Sequence, residues 1–174
     1  MRRIGKKLVL MLLTSVLIMN VISDKVSAYQ FTGLKLSDPK HVKIYIASNV
    51  SSYNILTYAK KWDTYCSEIG ISTTSASSSS NIAYHAAKTT DNGTYGVTYP
   101  NGDQNVIIFY KSFFSSDTTD SQRYETIVHE TGHALGLDHP STSTDQSKAV
   151  MRAYGFNGKA YPLSDDIAGI SKLY

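Results

Sequence analysis

Residues 129–140 read His-Glu-Thr-Gly-His-Ala-Leu-Gly-Leu-Asp-His-Pro. No other stretch constrains the fold as much, because it demands a helix that stops at a set place and a chain that turns back on it. His129 and His133 are four apart, so on a helix their imidazoles share one face with β-carbons about 5–6 Å apart. Two imidazoles so placed can take two corners of a zinc tetrahedron, with Zn–N near 2.0–2.1 Å. Glu130 lies roughly 100° further round the helix. From there it misses the metal but reaches a water on it, which is the place of a general base. Gly136 permits the left-handed backbone that ends a helix and turns the chain. Pro140 keeps the segment from running on as helix. The turn brings His139 back as third ligand, and three protein ligands leave a fourth position open, the mark of a catalytic zinc site. The competing reading is a structural histidine cluster, since His-Glu-x-x-His alone recurs by chance. Gly136 and His139 at these offsets tell against it.

Hydrophobic periodicity places this segment in a larger pattern. Residues 42–47 alternate as a first strand. Ile55, Ala59, Trp62, Cys66 and Ile69 are spaced by fours and threes, predicting an amphipathic helix over 52–68 with Cys66 as a buried apolar residue. Residues 72–80, rich in serine, read as a flexible loop. Strands are predicted over 81–86, 94–99 and 105–110, with turns at 91–93 and 100–103. The motif helix is expected over 121–135, with Tyr124, Ile127, Val128, Thr131 and Leu135 facing the core. A last helix comes after Leu163, with Ser164 as N-cap, Asp165 and Asp166 in the first turn, and Ile167, Ile170 and Tyr174 as its core stripe. This order fits an α+β fold, a twisted mixed sheet with helices behind it.

The whole motif, His-Glu-x-x-His-x-x-Gly-x-x-His, resembles that of the metzincins, and the likeness extends beyond Pro140. Ala149-Val150-Met151-Arg152 resembles the Met-turn, whose methionine lies beneath the three imidazoles in that clan. Residues 163–174 resemble the C-terminal helix shared by matrixins and serralysins. The resemblance is strong over 105–174 and general over 40–104. It implies a zincin fold with an active-site helix, a backing helix and a C-terminal helix. It also implies an edge strand bounding the cleft, sought between Tyr99 and Tyr110, and a tie from Asp165 or Asp166 to the Met-turn or the mature N-terminus. Capping is the alternative role for either aspartate. Pro140 is similar to serralysins, but their glycine-rich calcium repeats are missing. The ending is similar to matrixin catalytic domains, yet a Pro-Arg-Cys-Gly switch and a second, structural zinc set are missing. Serralysin-like enzymes carry a tyrosine two residues after the Met-turn methionine that supports the zinc site or the oxyanion. Here Tyr154 comes three residues after Met151.

The N-terminus reads as a signal peptide over 1–28. Arg2, Arg3, Lys6 and Lys7 precede a 15-residue, mostly apolar run at 8–22, and Val26-Ser27-Ala28 offers small residues to a peptidase. That run is short of the roughly 20 residues a membrane span needs, so no stable anchor is expected. Residues 1–28 hold five of the 17 basic and one of the 14 acidic residues, so residues 29–174 are close to neutral. No basic stripe remains to recruit nucleic acid. The lone cysteine excludes an internal disulfide.

The expected protein is thus a secreted zinc endopeptidase in one catalytic domain, 29–174. One zinc would sit on His129, His133 and His139, with Glu130 as base and an extended peptide as substrate. Specificity would fall largely to the loop between Met151 and Pro162, and restraint to export, zinc supply or an inhibitor protein. Two rivals share the motif: a zinc-containing binding protein, against which Glu130 argues, and a narrow-specificity amidase for cell-wall peptides. His41 and His85 are isolated. Asp91, Asp103 and Asp117 offer oxygens to calcium, but no loop has the full ligand spacing, and turn capping accounts for them.

Overall fold

The computed structural model describes residues 29–87, 89, 93–141 and 146–174. The predicted leader and Asp91 with Asn92 lie outside the described residues. A five-stranded sheet forms the frame, built from β2 (Val42–Ile46), β3 (Ile71–Thr73), β4 (Ile82–Ala86), β5 (Gly96–Asn101) and β6 (Gln104–Phe109). Its order is β3-β2-β4-β6-β5, and only β5 runs antiparallel to its neighbour. The α+β architecture expected from the element order is the one observed. Ile44, Ile82, Tyr84, Ile107 and Phe109 are fully buried. The hairpin between β5 and β6 turns at Gly102 (φ +61°), with Asn101 paired to Gln104. Pro100 therefore lies within β5 rather than in the predicted turn. An edge strand tolerates it because the missing N–H faces away from the ladder.

Two predictions are corrected here. Residues 72–80 are not simply loop: Ile71–Thr73 pairs in parallel with Val42, Lys43 and Ile44 as the far edge of the sheet. Only Ile71 of the three is buried, so no apolar alternation announces the strand. The helix predicted over 52–68 is two short ones, α1 (Ile55–Ala59) and α2 (Lys61–Tyr65). Its start is delayed by Asn54, which sits in the left-handed region at φ +56°. Its second turn is drawn toward β3, because the Asp63 carboxylate accepts Ile71 N–H at 3.3 Å and Lys60 Nζ donates to Ile71 O at 3.0 Å. The predicted stripe still holds, since Ile55, Ala59, Trp62, Cys66 and Ile69 are all buried. Burial pushes the Cys66 thiol up to about 12, so it is a neutral core group.

A short helix α3 (Lys111–Phe114) leads to the long helix α4 (Asp120–Ala134). Thr119 caps α4 in a reciprocal box: its hydroxyl accepts Gln122 N–H at 3.3 Å while Gln122 Oε1 accepts Thr119 N–H at 2.8 Å. At the other end Asn105 Nδ2 donates to Ala134 O at 2.9 Å, binding α4 to β6. The last helix, α5 (Ser164–Leu173), starts differently from its prediction. Leu163, not Ser164, occupies the cap position, and Asp166 closes the first turn by accepting Leu163 N–H at 2.7 Å. Ile170 is fully buried, with Ile167 and Tyr174 partly so.

The N-terminal segment also belongs to the fold. β1 (Gln30–Phe31) pairs antiparallel with β7 (Leu137–Asp138), and Thr32 N–H donates to Gly136 O at 3.0 Å. Leu36 N–H donates to the Tyr174 hydroxyl at 3.1 Å, which in turn donates to Leu135 O at 2.9 Å. Among the described residues no helix is long and apolar enough to cross a membrane.

Candidate active site

Helix α4 carries His129 and His133 on one face, and Gly136, at φ +104°, breaks it. A β-carbon at Gly136 would lie 2.4 Å from Leu34 O, so the position needs glycine for space as well as for conformation. The chain returns along β7 and delivers His139. The three Nε2 atoms converge, with His129 to His133 at 3.0 Å and each of these to His139 at 3.2 Å.

The other ring nitrogens explain what such convergence means. His129 Nδ1 donates to Val150 O at 2.9 Å and His133 Nδ1 to Leu137 O at 2.8 Å. Those bonds fix the tautomer and leave both Nε2 atoms with bare lone pairs. Burial holds both imidazoles neutral, lowering each to about 4. Bare lone pairs at that distance repel unless an electrophile lies between them. A tetrahedral zinc at about 2.0–2.1 Å from each nitrogen separates them by roughly 3.3–3.4 Å, close to the spacing found. The donor set therefore fits zinc. Among the described residues it is the one cluster of histidine, cysteine or carboxylate groups arranged to hold a metal.

Met151 packs against the motif helix at Gly132, a glycine that sequence reasoning passed over. A β-carbon at Gly132 would lie 2.3 Å from Met151 Sδ and 2.7 Å from Trp62 Cζ2. Glycine at the middle of the motif lets the thioether and the indole reach the helix backbone, and Trp62 Nε1 donates to Val128 O at 2.9 Å. Its signal was visible: glycine inside a helix costs roughly 1 kcal/mol, so its presence asks for a packing reason. Asp166, nearly fully buried, accepts Val150 N–H at 2.7 Å and Met151 N–H at 3.2 Å. Of the two candidate aspartates it is Asp166 that ties α5 to this turn, and it caps the helix as well.

Glu130 lies in the same cleft and is 6% exposed. Burial raises its pKa, opposed by the nearby histidines and by Thr98. The Thr98 hydroxyl, on β5, lies 2.8 Å from Glu130 Oε2 and 2.9 Å from Glu130 O. It orients the carboxylate from the strand packed against the helix. Nothing in the sequence marks Thr98 apart from other strand threonines. Gly96, Val97, Thr98 and Pro100 of β5 line one side of this cleft of about 830 Å³, so the edge strand bounding it falls just before the range in which it was sought and overlaps it. Residues 152–156 line it too. Tyr154 is among them but 85% exposed. Glu125, one turn ahead of His129, is buried and accepts N–H bonds from Asn157 and Gly158. The remaining histidines lie elsewhere: His41 pairs with Asp38 at 2.9 Å, and His85 packs against the Tyr45 ring at 5.8 Å.

A sequence model of the Peptidase_M10 matrixin family matches residues 56–174. The chain belongs to the matrixin family. Matrixins are zinc metalloendopeptidases, and metzincins as expected from the motif. Curated relatives of this matrixin include interstitial collagenase of Bos taurus, 37% identical over 62 residues, covering 36% of this chain and 13% of that protein. A putative matrix metalloproteinase of Spodoptera frugiperda ascovirus 1a is 35% identical over 71 residues, covering 38% of this chain and 17% of its own. The matched stretches thus span under a fifth of either relative. Among solved structures, myroilysin superposes with a TM-score of 0.60 at 14% identity, covering 84% of this chain and 98% of that one. A chain of the GM1-bound ECX AB5 holotoxin superposes at 0.59 and 13% identity, covering 77% and 80%. These structures share the matrixin's fold.

Proposed function

We propose that this chain is a secreted zinc-dependent endopeptidase that binds its substrate as an extended strand. The observation that carries the reading is the convergence of three Nε2 atoms within 3.0–3.2 Å in the cleft that also holds Glu130. His129, His133 and His139 would hold the metal. Bound zinc supplies Lewis acidity, acidifying water and polarising the scissile carbonyl.

The chain's own groups do the rest. Glu130 removes a proton from the attacking water and delivers it to the departing amine. Its burial makes it a better base than a solvated carboxylate, and the Thr98 hydroxyl keeps one oxygen directed. The outer edge of β5, unpaired by any strand among the described residues, offers backbone hydrogen bonds to an extended peptide. Asp166, through the Met-turn amides, sets Val150 O where it orients His129. Gly136 turns His139 into place. Tyr154 reaches bound substrate only from the rim, given its exposure. Residues 1–28 read as an export signal, with 29–174 as the mature catalytic domain.

The decisive experiment compares residues 29–174 with the Glu130→Ala variant on an unfolded protein, after both are shown to carry one equivalent of zinc. The parent should cleave, and the variant should lose about 10²–10⁴-fold in rate. Full zinc occupancy with no cleavage by the parent would overturn the reading.

A further inference from the structure

We infer that Glu125 is a positioning residue for substrate selection, clamping the loop whose residues 152–156 wall the cleft to the helix that carries the zinc-site histidines. The inference rests on the peptidase reading and names a part of the same site. Glu125 is 2% exposed, yet it is neither one of the converging histidines nor the base. Its Oε1 accepts Asn157 N–H at 2.8 Å, and its Oε2 accepts Gly158 N–H at 2.8 Å and Asn157 N–H at 3.2 Å.

Two successive backbone N–H groups aimed at one point form an anion-binding concavity. Gly158 sits at φ +73°, a conformation glycine adopts without strain. A buried carboxylate fills that concavity, and neither partner is satisfied alone: the anion needs donors once out of water, and the loop has no ladder to absorb its amides. The loop is held at a second point, where Phe156 meets the Tyr95 ring edge-to-face at 5.1 Å. The residues that line the cleft, 152–156, run directly into these two adjoining anchors, and Glu125 itself borders the cleft. Glu125 is four residues before His129, so one rigid helix carries both the histidines and the loop's anchor. Wall and zinc site therefore keep a fixed separation, and that separation decides which side chain fits beside the scissile bond.

Amide hydrogen exchange on the zinc-loaded protein reads the clamp directly. Asn157 and Gly158 should exchange at least about 100-fold more slowly than unstructured chain. Glu125→Gln keeps the shape but turns one acceptor into a donor facing a donor. Protection should fall in that variant while zinc content stays at one equivalent. KM over a peptide series should rise about tenfold with kcat within about twofold, and preference among side chains next to the cut should flatten. Glu125→Asp, an anion one methylene short, should recover part of the selectivity. Unprotected amides in the parent overturn the inference whether or not the variants fold. So does a zinc-loaded Gln variant with the parent's KM and preferences. A parent that cleaves nothing defeats the peptidase reading instead, and the exchange rates still judge the clamp.

Discussion

The sheet with its helices and the segment beyond His139 are stabilised by different physics. From β2 to α4 the chain is held by repetition: ladder hydrogen bonds, helical hydrogen bonds and side chains such as Ile44 and Phe109 removed wholly from water. Between residues 146 and 163 the only regular element is a single 3₁₀ turn, Gln146–Lys148. Backbone amides there have no ladder, and two buried carboxylates, Glu125 and Asp166, receive them instead. The face that carries the three converging histidines lies at the junction. Its rigid half comes from packing and its adjustable half from a few ionic hydrogen bonds, so the two should fail in different ways when damaged.

The largest effect should come from the tied half. Asp166→Ala strands the amides of Val150, Met151 and Leu163, each worth about 1–3 kcal/mol when left unpaired. Denaturant unfolding should show a loss of roughly 3–6 kcal/mol. Competition with a chelator should show weaker zinc binding in the folded variant, since Val150 O orients His129. Ile44→Ala, in the packed half, should cost about 2–5 kcal/mol while leaving the folded protein's zinc affinity at the parent's value. Equal zinc affinities in both variants would erase the distinction between the halves. Gly132→Ala probes their contact, because the added methyl would strike Met151 and Trp62. Overpacking of about 1–3 kcal/mol, less about 1 kcal/mol recovered from helix propensity, predicts a small net loss in thermal unfolding. The smallest effect is at Cys66: with its thiol neutral and buried, alkylation at pH 8 should be negligible until the protein unfolds.

The same division governs how far the fold and site can be read from the sequence. Helix α4, the break at Gly136 and the return of His139 are legible because periodicity and glycine stereochemistry act locally. The stripe from Ile55 to Ile69 predicts burial correctly but continuity wrongly, since the break at Lys60 reflects ties to β3 that have no local pattern. β3 itself escapes notice because a short edge strand shows only one apolar residue. Thr98 and Glu125 stay hidden for a related reason: a carboxylate or hydroxyl whose partner lies some thirty residues away looks like any other polar residue. Met151 and the choice between Asp165 and Asp166 lie between these cases. Resemblance locates the turn and the helix, but only the folded structure shows that Asp166 supplies both cap and tie.

The pairing of β1 with β7 has a temporal meaning. Gln30 and Phe31 join Asp138 and Leu137 across most of the chain, and Leu36 meets Tyr174 across 138 positions. Contacts between such distant residues form late, because the chain must close a long loop before gaining anything from them. The backbone carrying the third histidine is therefore finished at the end of folding. On the peptidase reading, cutting competence would then arrive only after the rest of the chain has left the extended state that such an enzyme binds.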